Sequence, residues 1–248
     1  MVETGRKEIL IMTPEQLAEA IKKMPGLKIQ SVILYGSAAA GDHAGRRSDF
    51  NILVVLETLG IAELDAISRI AAQWAAKGNP PPLLFTTDQL RRSADVFPIE
   101  LLDMKECHRI LAGEDVLSGI AVDRENLRLQ IEHELKGKLI QLREQYMLAG
   151  GRSRAIKELM LRSLSPFLVL FRAALRLFQE TVPARKMDAL DALARHIGYK
   201  PDVFVELRRA KEGAAPLSAA DLHGLFARYL AAVEKVTAAV DEHLQKSD

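Results

Sequence analysis

The spacing of apolar positions changes period along the chain, and the changes mark the elements. Behind Thr13-Pro14-Glu15-Gln16, the residues Leu17, Ile21 and Met24 recur at helical spacing, with Thr13 as cap, Gln16 closing a capping box and Pro25-Gly26 as the stop. Two continuous apolar runs, Val32 to Tyr35 and Ile52 to Leu56, predict strands, and Leu64, Ile67, Ile70, Ala71 and Trp74 predict a helix over 61–76. After Gly78-Asn79-Pro80-Pro81-Pro82 come a short strand, Pro82 to Phe85, and a second capping box, Thr86 to Gln89. A short helix over 98–103 and an edge strand starting at His108 and closing in a turn by Asp115 complete the alternating part.

From Arg124 onward the strand signal disappears. Leu127, Ile131, Leu135, Leu139, Leu142 and Tyr146 form one helical stripe, and Ile156, Met160, Leu164, Phe167, Phe171, Leu175 and Phe178 form a second. Leu222, Phe226, Tyr229, Val233, Val236 and Val240 form a third, with a shorter helix over 186–196 between the last two. The fold class expected is α+β: a mixed sheet with helices over 1–118, followed by an all-α bundle over 123–248.

Composition narrows the function classes. A chain of 248 residues, 48% hydrophobic, can bury two cores without covalent staples. The single cysteine, Cys107, allows no intramolecular disulfide, which fits a reducing cytoplasm. A formal net charge of +1 gives no global electrostatic case for a nucleic-acid partner. The apolar stretch 166–178 is interrupted by Arg172 and Arg176, and the N-terminal run is too short for a secretory signal, so no membrane association is expected and the protein is placed in the cytoplasm.

The candidate chemistry lies between the first two strands. Gly36 follows an apolar strand, and a residue without Cβ lets backbone N–H groups approach a phosphate closely; Ser37 adds a hydroxyl donor. Arg46 and Arg47 offer guanidinium groups for phosphate oxygens in the same loop. Asp49 and Asn51 would share a face if both lay on the second strand. Two acids there would chelate a divalent cation; an acid and an amide hold one far less well, because magnesium prefers anionic oxygen.

Tyr35-Gly36-Ser37 followed by Asp49-Phe50-Asn51 resembles the signature of the polymerase-beta-like nucleotidyltransferases, and more narrowly the small bacterial members with a helical C-terminal domain, such as the aminoglycoside nucleotidyltransferases. The segment Leu111-Ala112-Gly113-Glu114-Asp115 is also similar to the end of the catalytic domain in those members. The resemblance implies that Gly36 and Ser37 contact the triphosphate of a nucleotide, that Asp49 and the residue at Asn51 hold Mg2+, and that a third acid on a later strand completes the site. Here the second acid is an amide, and Asp88 is the one acid near the third strand, where the capping box offers a competing role.

Two readings stay open on these residues. In one, the protein keeps a nucleotide pocket at Gly36, Ser37 and Asp49 but transfers nucleotides poorly or not at all, and serves as a binding or regulatory module. In the other, it is an active enzyme moving NMP from an NTP to a hydroxyl of a small molecule or protein side chain held in the cleft between domains, with Asp42, Asp88 or a substrate phosphate supplying the missing charge. The helical half also offers a surface for a protein partner or a second copy of the chain.

Overall fold

A computed structural model describes residues 12–39, 49–179, 181–215, 217 and 221–245. The chain divides into two compact units, Met1–Val122 and Asp123–Asp248.

The first unit is built on a four-stranded sheet of order β3-β2-β1-β4. Helix α1 (Pro14–Lys22) starts on the capping box of Thr13 and Gln16. It is followed by β1 (Ile29–Tyr35), β2 (Asn51–Leu56), α2 (Ile61–Ala75), β3 (Leu83–Thr86), α3 (Thr87–Arg92), α4 (Pro98–Glu106) and β4 (His108–Gly113). Strand β1 runs antiparallel to both β2 and β4, whereas β2 and β3 are parallel and joined through α2, as a parallel pair needs a long crossover. Val32, Leu34, Ile52, Val54 and Leu56 pack against Leu17, Ile21, Ile67, Ile70 and Trp74 of α1 and α2. Ile33, Leu53 and Val55 pack on the other face against Leu90, Leu101, Met104, Leu117 and Ile120. Both faces are therefore covered, which is why the middle of β2 is a continuous apolar run rather than an alternating one.

Ser31, fully buried in β1, donates its hydroxyl to the carbonyl of Glu114 at 2.6 Å and so holds the exit of β4 to the start of β1. At the same place Gly113 has φ +81°, and a Cβ there would overlap the carbonyl oxygen of Gln30.

The second unit holds α5 (Arg124–Ala149), α6 (Ser153–Leu175), α7 (Lys186–Ile197), α8 (Asp202–Lys211) and α9 (Leu222–Gln245). Asp123 caps α5 by accepting the N–H groups of Glu125 and Asn126, and Gly150, at φ +55°, ends it. Helix α6 is the central element and packs against the other four. Edge-to-face contacts join Phe167 and Phe204 to the Tyr229 ring, and Phe171 to Phe204, all four rings being buried. Helix α8, which the apolar pattern did not predict, supplies Val203, Phe204 and Leu207 to this core. Among the described residues no helix is long and apolar enough to cross a membrane.

Candidate functional site

The turn after β1 begins at Gly36, whose φ of +81° lies in the left-handed region that glycine adopts without cost. Its N–H donates to the carbonyl of Cys107 at 3.0 Å, and its carbonyl accepts the N–H of Ala39 at 3.0 Å. The first bond ties the turn to the entry of β4, so the loop leaves the sheet in a fixed direction. Ser37 is exposed just beyond it.

Three side chains stand in one row across this end of the sheet. Tyr35 pairs with Asn51 of β2 on one side and with His108 of β4 on the other. Residues directly opposite in antiparallel strands place their Cβ atoms about 4.5–5.5 Å apart, so the row is a contiguous surface. It belongs to the face of Ile33, Leu53 and Val55, while Phe50 and Ile52 turn to the opposite face, where the Phe50 ring lies 6.1 Å from that of Trp74. A Cβ built on Gly36 would stand 3.3 Å from Nδ2 of Asn51, so the Asn51 amide lies directly over the glycine turn. Burial pushes the Tyr35 phenol above its ordinary pKa, and the hydroxyl stays protonated at neutral pH. His108 is anchored at both nitrogens: Nδ1 donates to the carbonyl of Lys105 at 3.0 Å, and Nε2 sits 3.5 Å from the Asp115 carboxylate.

Strand β2 starts at Asn51, and Asp49 precedes it as an exposed residue. Between them the Phe50 N–H donates to the side-chain oxygen of Asn79 at 3.1 Å. Asn79, Tyr35 and His108 were not legible as site residues from local pattern. The signal for Asn79 was the turn Gly78-Asn79-Pro80, which read only as a helix stop. Arg46 and Arg47, like Asp42 and His43, lie outside the described residues.

Leu53 pairs with Leu83 where the parallel ladder begins, and Pro80, Pro81 and Pro82 lead into β3 ahead of that pair. Asp88 cannot reach the Asn51 end. Thr86 caps α3 with Gln89 closing the box, Leu56 pairs with Thr86, and Asp88 therefore sits beyond the far end of β2, roughly 20 Å from the Asn51 end at about 3.3 Å per strand residue. There it lines a cavity of about 910 Å³ together with Gln30, Glu57, Arg91 and Glu114, at the end of the sheet opposite the glycine turn.

This donor set does not fit a two-metal centre. Such a centre needs carboxylates converging on ions roughly 3.5–4 Å apart. The Asn51 end presents an amide, a phenol and an imidazole, with the Asp115 carboxylate beside His108 and Asp49 exposed ahead of β2, and among the described residues no group of three or more His, Cys, Asp or Glu is placed to hold a metal. The arrangement can donate hydrogen bonds to an anion from the turn, from Asn51 and from Tyr35.

No protein-family model matches the chain, and no curated protein does. Solved structures do match. One is the spectinomycin adenyltransferase AAD(9) from Enterococcus faecialis, determined with ATP and spectinomycin, with a TM-score of 0.52 and 11% identity over 94% of this chain and 98% of that one. The likeness at that identity is one of fold: an α+β nucleotidyltransferase-type sheet with helices, followed by a helical region.

Proposed function

We propose that the first unit binds a nucleoside triphosphate at the Gly36–Ser37 turn and transfers nucleotides from it poorly or not at all, so that the protein acts as a binding or regulatory module. The observation that carries this reading is the Asn51 amide lying over Gly36, where metal-dependent transfer calls for carboxylates. The turn itself supports nucleotide binding, since a residue without Cβ at the end of a strand lets backbone N–H groups approach a phosphate. Arg46 and Arg47 are proposed as further phosphate ligands.

The test separates binding from transfer. Labelled ATP should bind at equilibrium, and binding should fall on Gly36→Val. Incubation with α-labelled NTPs, Mg2+ or Mn2+ and hydroxyl acceptors, aminocyclitols among them, should give no metal-dependent product. Robust turnover that disappears on Asp49→Ala would overturn the proposal.

A second reading, an active transferase, is favoured by the near-complete span of the likeness to an adenyltransferase determined with ATP and an acceptor. In that case Asp49 would hold the metal with the Asn51 carbonyl oxygen as a neutral ligand, and the acceptor would be a hydroxyl of a small molecule or a protein side chain. Crystals soaked with nucleotide and Mn2+ decide: two ordered ions at Asp49 favour the enzyme, and nucleotide without ions favours the binding module.

A further inference from the structure

We infer that this site takes the triphosphate as the free anion, without a divalent cation, and that Tyr35 and Asn51 are the side chains that replace the metal by donating hydrogen bonds to phosphate oxygens. The inference rests on the nucleotide-binding reading above and specifies the ionic form of the ligand.

The geometry supplies the donors. Tyr35 and Asn51 are directly opposite across β1 and β2, and the Asn51 amide nitrogen overlies Gly36, so both groups border the turn where a phosphate would enter. An amide NH2 and a phenol each donate, whereas a carboxylate at position 51 would only accept and would repel phosphate unless a cation stood between them. The residues that lead into the adjacent strand, Pro80 to Pro82, bring no charge. His108 closes the row; its Nδ1 donates to the Lys105 carbonyl and its Nε2 faces the Asp115 carboxylate at 3.5 Å, so it positions the edge of the site. The phosphate oxygens therefore meet the neutral donors of Asn51 and Tyr35 in this row, and a divalent ion would find no converging group of carboxylates among the described residues to bind alongside them.

The experiment is calorimetric titration with ATP at constant ionic strength, once with excess EDTA and once with millimolar Mg2+. The wild type is expected to bind in EDTA with an affinity within about threefold of that in Mg2+, too small a difference for a required ligand. Asn51→Asp is expected to weaken binding in EDTA by about tenfold or more and to regain it in Mg2+, because the new carboxylate repels phosphate until a cation intervenes. Tyr35→Phe, which removes one donor, is expected to weaken binding about three- to tenfold under both conditions. Binding by the wild type only in Mg2+ overturns the inference and leaves the nucleotide pocket standing. No binding under either condition overturns the pocket and the inference together. Thermal melts report whether each variant folds, and the wild-type comparison needs no variant.

Discussion

Gly36 and Gly113 have the same φ, +81°, at opposite ends of β1, yet they do different work. Gly113 is jammed: a side chain there would overlap the Gln30 backbone, and Ser31 bonds the next residue's carbonyl. Gly36 faces a side chain, the Asn51 amide. The chemistry at the two ends differs as well. The Gly113 end carries Glu57, Asp88 and Glu114 around its cavity, and the Gly36 end has an amide, a phenol and the His108 ring with the Asp115 carboxylate beside it. Identical backbone conformation thus serves closure of the sheet at one end and, in the function proposed above, access for a ligand at the other; what surrounds the glycine distinguishes them.

The largest effect that tests this contrast is on stability. Gly113→Ala should cost roughly 3 kcal/mol or more, since it adds φ strain to an overlap with backbone that cannot move aside. Gly36→Ala should cost about 1 kcal/mol from strain alone, because its neighbour is a side-chain amide able to shift a few tenths of an ångström. Chemical denaturation of both variants checks the ordering. If Gly36→Ala proves as destabilising as Gly113→Ala, the turn is a fold element first and the argument for a ligand there weakens. Next in size is Ser31→Ala, expected at about 1–2 kcal/mol for a lost buried hydroxyl bond, with no change in nucleotide affinity.

How much of this was written in the local sequence differs between the ends and between the units. The capping boxes at Thr13 and Thr86, the strand runs, and the glycine turn were all readable, because each depends on residues within a few positions of one another. Asn51 was read as an amide where an acid was expected. Its placement over Gly36 depends on the pairing of β1 with β2, which local period does not encode. The same holds for the Asn79 bond to the Phe50 N–H, made between residues distant in sequence. Helix α8 escaped for another reason: Val203, Phe204 and Leu207 make one short stripe within ten residues otherwise rich in charge.

Within the helical unit, Tyr229 donates to or accepts from Ser163 at 3.0 Å across α9 and α6, inside the aromatic cluster. Burial holds its phenol far above the ordinary range, so it does not ionise at working pH. Tyr229→Phe should cost about 1 kcal/mol and leave ATP binding unchanged. A change in nucleotide affinity there would mean that the helical unit contributes to the site, and the contrast between the two sheet ends would no longer contain the whole of the binding chemistry.

The smallest expected effect concerns how the ligand end is held from outside. Arg109, opposite Leu34 in the sheet and next to His108, donates to Glu15 of α1 at 2.6 Å. That hydrogen bond holds the Glu15 carboxyl below the usual carboxylate range. A depressed pKa stabilises the folded form above the unfolded value near 4.5 and is lost as pH falls through the lower folded value. Both side chains are more than half exposed, so solvent screening limits the pair to about 0.5 kcal/mol or less. Glu15→Gln should therefore shift stability slightly at pH 7, with the difference from wild type shrinking below pH 4.5 and vanishing at high salt. Denaturation curves at pH 7 and pH 3 check this, and a loss of several kcal/mol would show that the Gly36 end, like the Gly113 end, depends on a rigid clamp.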